Sequence, residues 1–366
     1  MTNKLNNEPI DVVYTWVDGS DPEWQKKRDE AFKNFKGNFT ENGISPGRFQ
    51  NHDELKYSLR SIDQYMPWVR KIFIVTDNQI PKWLDTNNPK ITIVDHKDIF
   101  PKYVKTPVFN SCLIEFFIPY IKNLSDKFIC FNDDFLVNKP LNKSDFFNPD
   151  NKPIFFSKNI GLDLEKPKIN FINIEELNSE AIDNIIKFFN TRENISWYDF
   201  ENSFELFHME HPEITDKLYI KHAPYTIIKK DQIDILKRYE KFIEKNISNQ
   251  FRTKHELNFW ELYELNCLQK KLGVISDNEN DLFEFGMGSI YYQQDIQEIL
   301  EIFNPKYRFI SVSQGETYNE KYIEAAIIAL ELRYPRESTF EKKCSTKHIN
   351  RMGYLFDILN SEYVNE

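Results

Sequence analysis

The feature that most restricts the fold of this chain lies in its first third, where short β-rich apolar runs alternate with helical patterns and each run stops at an acidic or amide residue. The runs are Asp11 to Val17, Ile72 to Thr76, Ile91 to Val94 and Phe128 to Phe131, and the residues at their ends are Asp18, Asp77, Asp95 and Asn132. Between the first two runs, Leu55, Leu59, Ile62 and Met66 recur at the spacing of one helix face, and Pro67 closes the pattern. A further helix is expected from Ser111 to about Lys122. Strands and helices in alternation predict an α/β fold with an open, mostly parallel sheet. Ligands of such sheets sit beyond the carboxyl ends of the strands. Asp18, Asp77 and the run Asn132-Asp133-Asp134 are therefore expected around one crevice.

The pattern changes after residue 150. Residues 151–216 carry aromatic and acidic segments with few strand signals and are read as a mostly helical insertion, which leaves 1–150 as one half and 217–366 as a second half completing the site. A helix-rich stretch runs from Lys229 to about Leu272, where Ile235, Tyr239, Phe242 and Ile243 form an apolar stripe beside Lys237, Arg238, Lys241 and Lys245. Such a stripe suits either a membrane surface or the core face of a surface helix, and the core face is the preferred reading. A strand is expected at Arg308 to Ser313 and a helix from Tyr322 to Leu332, ended by Pro335. Without repeats or a low-complexity linker, the halves are expected to pack together.

Charge and cysteine content remove several function classes. A net charge of -10 over 366 residues opposes general nucleic-acid binding, so no nucleic-acid partner is expected. The four cysteines, Cys112, Cys130, Cys267 and Cys344, form no CxxC pair, which argues against a disulfide framework or a zinc ribbon and fits a reducing compartment. Neither an apolar leader nor a run of about 18 apolar residues is present. A cytoplasmic protein is expected, with peripheral contact at the inner face of a membrane compatible with it. Five N-x-S/T sequons are attributed to the abundance of Asn.

The strongest chemical signal is Phe128-Ile-Cys-Phe-Asn-Asp-Asp-Phe135, an apolar strand that delivers Asn132, Asp133 and Asp134 at its exit. Adjacent carboxylates at a strand end call for a compensating cation, and Mg²⁺ typically takes one or two carboxylates plus substrate phosphates. An Asx turn capping a helix explains the same residues. Tyr14 to Pro22 (YTWVDGSDP) reads as a strand, a Gly-containing loop and a helix start, with Asp21 as the cap. His222, in Lys221 to Tyr225, has an intrinsic pKa of ~6.5, suited to accepting a proton. Arg252, in Asn249 to Lys254, offers a fork for phosphate oxygens. His208 and His211 form an i, i+3 pair without a clear third zinc ligand.

Together these blocks resemble the Stealth family of hexose-1-phosphate transferases, which includes bacterial capsular polysaccharide polymerases and the catalytic core of the eukaryotic N-acetylglucosamine-1-phosphotransferase. IDVVYTWVDGSDP (Ile10 to Pro22) is similar to the first conserved block of that family. Arg48 to Leu84, continued by VFNSCLIE and FNDDF, is similar to the second, KHAPY with FRTKHELNFW to the third, and YPRESTFEK (Tyr334 to Lys342) to the fourth.

The resemblance implies a glycosyltransferase-A-like nucleotide-binding core. It also implies transfer of a sugar 1-phosphate from a UDP-sugar donor to a hydroxyl of a growing oligosaccharide or polysaccharide, with release of UMP. Asp133 and Asp134 would hold Mg²⁺ or Mn²⁺, with Asn132 orienting the loop or the donor. His222 would be the general base, Arg252 the clamp on the transferred phosphate, and Asp18 with Gly19 the nucleotide loop. Arg48, Asp53, Glu54 and Arg60 would position donor or acceptor, and framework salt bridges are the alternative for these four. Contact with membrane-bound capsule export machinery is compatible with the same role.

One departure stands out: many relatives end the strand before the fourth block in Asn-Asp, whereas here it leads into Gln314-Gly-Glu316. Alternative functions are a metal-dependent glycosyltransferase that releases UDP and a catalytically silent glycan-binding scaffold.

Overall fold

The computed structural model describes residues 8–36, 43–160, 173–190, 201–212, 214, 217–246, 250–253, 256–278, 281–287, 299–314 and 320–343. In chain order the strands are β1 (Ile10–Thr15), β2 (Ile72–Thr76), β3 (Ile91–Asp95), β4 (Lys127–Asn132), β5 (Phe135–Val137), β6 (Ile154–Phe155), β7 (Lys158–Ile160), β8 (Lys217–Tyr219), β9 (Tyr225–Ile228), β10 (Val274–Ile275), β11 (Leu282–Met287) and β12 (Phe309–Gln314). The central sheet has the order β3-β2-β1-β4-β9. Its first four members are parallel and β9 is antiparallel to β4. The open, mostly parallel α/β sheet expected from the alternation of elements is therefore present.

Every residue of β2 is buried, and β1 and β4 are buried but for their last residues. Such runs arise where both faces of a parallel sheet are covered. Register then fixes the site. Thr15 lies opposite both Val75 and Asn132, so the loops that leave β1 and β4 emerge side by side. Because β1 is followed by β2 on one side and flanked by β4 on the other, the strand order reverses there, the point at which open α/β sheets hold their ligands.

Local signals explain the covering elements. The helix Pro22–Asn34 starts at Asp21, whose carboxylate accepts from Glu23 N and Trp24 N, with Pro22 pre-set for the first turn. The helix Glu54–Tyr65 buries Leu55, Leu59 and Ile62 on the sheet, as its spacing predicts. The helix expected from Ser111 to Lys122 is shorter, covering Ser111–Phe117 and then a 3₁₀ turn, Ile118–Tyr120. Pro119 lacks the amide hydrogen that would continue the α pattern.

A second sheet, β11-β12-β5, pairs β12 antiparallel to β5, with Ser311 opposite Phe135. Strand pairing thus crosses the boundaries drawn at residues 150 and 216: β9 joins β4, β12 joins β5, and β10 joins β6. Within 151–216 the described residues include the helices Ser179–Asn190 and Glu201–Glu210, and also β6 and β7. Ile182, Ile185, Leu206 and Met209 from those helices are buried in the same core as the central sheet.

The basic stretch folds as Lys229–Arg238, Glu240–Asn246 and Phe259–Gln269. Its stripe Ile235, Tyr239, Phe242 and Ile243 is buried. Arg238 is paired with Glu210 and Glu175, and Lys241 and Lys245 donate to Glu175 O and Ser179 O. The core-face reading therefore holds here. No helix among the described residues is long and apolar enough to cross a membrane.

Candidate active site at the carboxyl edge of the sheet

His222 lies three residues before β9, and because β9 runs antiparallel to β4, with Tyr225 opposite Cys130, it lies just past the exit of β4. Asn132 Nδ2 is 2.8 Å from His222 Nε2. With the amide as donor, Nε2 is the lone-pair nitrogen and Nδ1 carries the ring proton. Nδ1 donates to Ser311 Oγ at 3.0 Å, and Ser311 Oγ donates to Asp134 Oδ2 at 3.2 Å. Phe135 packs edge-on to the imidazole, with centroids 4.7 Å apart. Asn132, His222, Ser311 and Asp134 thus form one hydrogen-bonded chain drawn from three separate stretches of sequence.

Asp133 and Asp134 occupy the turn between β4 and β5. Asp133 keeps one side partly open to solvent, but enough protein encloses its carboxyl to push its pKa well above the usual carboxylate range, and repulsion from Asp134 and Glu54 adds to this. Burial also raises Glu54, with a further contribution from Asp134, while its Oε2 accepts from His52 N at 2.7 Å. Three carboxylates repel one another here, and Asp134 Oδ1 is buried without a hydrogen-bond partner.

An orphaned carboxylate oxygen among mutually repelling acids fits a divalent cation held by Asp133 and Asp134. Among the described residues no group of three His, Cys, Asp or Glu side chains is gathered as a complete metal site. Two carboxylates are what Mg²⁺ typically takes from a protein, its other oxygens coming from substrate phosphates and water.

A second cluster gathers around Arg252. Arg252 Nη2 donates to Ser111 Oγ at 2.5 Å. Glu115, on the same helix as Ser111, is buried, and burial pushes its carboxyl up to about 8 despite Arg252, Trp260 and Ser111. Burial likewise pushes Glu256 up to about 7, offset by Asn110, Arg252, Thr253 and Arg48. Trp260 stacks on Tyr225 at 4.3 Å, and Tyr225 packs on Phe135 at 6.4 Å, which connects this cluster to the histidine.

The nucleotide-loop candidates are tightly held. Asp18 N donates to Gln79 Oε1 at 3.0 Å, Gln79 Nε2 returns to Asp18 O at 2.9 Å, and Ser20 Oγ donates to Asp18 Oδ1 at 2.6 Å. Gly19 N donates to Phe49 O at 2.7 Å. A Cβ at residue 19 would lie 2.2 Å from that oxygen, so only glycine permits the approach that brings the first loop against Phe49.

The four residues expected to position substrate separate. Glu54 joins the carboxylate cluster, and Arg48 lies near enough to Glu256 to draw its carboxyl down. Asp53 accepts from Trp83 Nε1 at 2.9 Å. Arg60 forms a two-pronged pair with Glu341 at 2.8 and 2.7 Å, so for Arg60 the framework alternative describes its contacts. Asp77 pairs with Lys27 at 2.9 Å. His208 stacks on Phe204, and His211 packs against Phe207, so both rings serve helix packing. Glu316 lies outside the described residues. Ser311, Ser111, Glu115 and Glu256 join these clusters without a functional expectation from the sequence. Only Glu115, closing VFNSCLIE on an otherwise apolar helix, carried a local signal.

Polar groups thus converge on the carboxyl edge at the reversal of strand order, the layout of an α/β protein that binds a ligand there. Comparisons with known proteins narrow this class. Stealth protein conserved region 1 matches residues 8–34, and conserved region 2 matches residues 48–155. A capsular polysaccharide phosphotransferase of Streptococcus pneumoniae is 30% identical over 355 residues, covering 92% of this chain and 99% of its own. The chain belongs to the Stealth family.

A capsular polysaccharide phosphotransferase of Actinobacillus pleuropneumoniae is 36% identical over 258 residues, which is 70% of this chain and 64% of that protein. The match thus spans less than two thirds of that relative. Among solved structures, galactosyltransferase LgtC in complex with donor and acceptor sugar analogues aligns over 94% of this chain and 99% of its own, at 11% identity and a TM-score of 0.37.

Proposed function

We propose that this chain transfers a hexose or N-acetylhexosamine 1-phosphate from a UDP-sugar to a hydroxyl of a growing glycan, forming a phosphodiester and releasing UMP in capsule or surface polysaccharide synthesis. The names of its relatives, capsular polysaccharide phosphotransferases, support the reaction class. The single observation that carries the reading is the chain Asn132–His222–Ser311–Asp134, which holds an imidazole with its lone-pair nitrogen at the crevice beside the paired acids.

In the reaction, the acceptor hydroxyl displaces the Asn132 amide from His222 Nε2 and donates to it. As the acceptor oxygen bonds to the β-phosphorus, its proton passes to Nε2, and Ser311 holds Nδ1 so that the imidazolium forms in place. The bond from the β-phosphorus to the bridging oxygen breaks, and UMP leaves with the electron pair, so the anomeric C1–O bond survives. Arg252 grips the non-bridging oxygens, where charge accumulates. A divalent cation, when bound by Asp133 and Asp134, offsets the charge of the diphosphate and of the departing UMP.

The test is to incubate the protein with Mg²⁺, a panel of UDP-sugars and an oligosaccharide acceptor, and to identify the nucleotide formed. UMP is expected. UDP would instead select a glycosyltransferase that cleaves C1–O. Acceptor binding without turnover, unchanged in Asp133→Asn and His222→Ala, would select a glycan-binding scaffold.

A further inference from the structure

Arg252 sits outside any helix or strand, so its guanidinium can act as a clamp only if other groups fix it. One backbone bond and one ring contact hold the segment: Phe109 N donates to Gln250 O at 2.7 Å, and Phe251 stacks on Phe109 at 5.0 Å. The side chain has a separate support. Glu256 Oε1 accepts from Asn110 Nδ2, and Glu256 Oε2 accepts from Thr253 N at 3.3 Å. Asn110 Oδ1 meanwhile accepts from Cys112 N at 3.1 Å, capping the helix that carries Ser111, the hydrogen-bond partner of Arg252.

One carboxylate therefore fastens the arginine turn to the start of the helix the arginine touches. Its side chain accepts from Asn110 and from the Thr253 backbone, and Arg252 and Arg48 lie near enough to oppose the upward push of burial on its carboxyl.

We propose that Glu256 is a positioning residue, whose carboxylate holds Arg252 in the orientation that grips the phosphoryl group being transferred. This rests on the function proposed above. Glu256 touches no reacting atom and acts through the arginine, so its contribution disappears when the arginine is removed.

A double-mutant cycle tests this, using the full chain, Glu256→Gln, Arg252→Ala and the double variant, with Glu256→Gln chosen because it keeps the side-chain shape. Two quantities are read with Mg²⁺ present: UMP release from a panel of UDP-sugars, and UDP affinity by calorimetry. Glu256→Gln is expected to lower kcat about 10- to 100-fold in the native background, on the scale of a misplaced catalytic contact, and less than about twofold in the Arg252→Ala background. Equal losses in both backgrounds, or no loss in the native one, would overturn the proposal. If the native protein releases no UMP, the reaction assignment fails by itself. The cycle is then decided on affinity for UDP, which carries the same β-phosphate: a loss confined to the native background upholds the positioning role, and any other pattern overturns it.

Discussion

The imidazole Nε2 of His222 lies 2.8 Å from the side-chain nitrogen of Asn132, although 90 positions separate them in the chain. The meeting follows from one antiparallel pairing, β9 on β4, and Ser311 completes it from β12. If His222 accepts the proton of the acceptor, His222→Ala lowers kcat by about 10²- to 10⁴-fold with little change in donor affinity. Ser311→Ala keeps the base but frees its Nδ1, so a smaller loss, about tenfold, is expected. Steady-state UMP release at varied donor concentration separates the two quantities. Equal losses in affinity would reassign His222 to donor recognition.

Asp134 combines an unpartnered buried oxygen with repulsion toward Asp133 and Glu54. Asp134→Asn removes one charge from this cluster and should abolish transfer while leaving the metal-free protein at least as stable as the native one. Thermal unfolding in chelator and in Mg²⁺ provides the check. Mg²⁺ is expected to raise the Tm of the native protein and not that of the variant. Near-native turnover of Asp134→Asn in Mg²⁺ would remove the acid from the metal site.

The legible parts of this fold were those set by local patterning. β2 and the helix Glu54–Tyr65 follow from a run of β-branched residues and from a helical repeat, and the acids at the strand ends follow from parallel topology. Ser311 was illegible because its role depends on β12 pairing with β5, a long-range register that no local pattern encodes. Arg48, Asp53, Glu54 and Arg60 share one sequence block, yet a helix turns through 100° per residue. Glu54 and Arg60, six positions apart, therefore face different neighbours. Asp53 adopts a left-handed backbone with φ of 65°, which directs it away from both, toward Trp83. Residue type suggested chemistry; direction came only with the backbone.

Arg60 and Glu341 are 10% and 6% exposed, and Glu341 also accepts from Ser338 N at 2.7 Å. This pair fastens the segment 334–341 over the helix Glu54–Tyr65. Arg60→Ala leaves a nearly buried carboxylate without its cation, which costs about 3–5 kcal/mol. Denaturant unfolding should show that loss, and donor KM at a temperature where the variant is folded should stay near native. Replacing both partners by apolar residues should cost less than Arg60→Ala alone. A KM change without a stability change would return Arg60 to the substrate site.

Glu264 tests an interior carboxyl that takes no part in the proposed chemistry. It is 3% exposed, accepts from Ser157 Oγ, and burial raises its carboxyl from 4.5 to about 8. In this range the folded protein holds a proton that the unfolded chain has released. The stability tied to the protonated carboxyl is thus complete below about pH 4.5 and is lost as pH climbs through about 8. One such group contributes a fall of at most ~1.4 kcal/mol per pH unit across that window. Glu264→Gln keeps a hydrogen-bonding partner for Ser157 and cannot ionise, so its stability should decline less steeply than that of the native protein from acid to pH 8. Denaturant midpoints measured at several pH values check this, and parallel curves for the two proteins would show that Glu264 does not enter the folded state protonated.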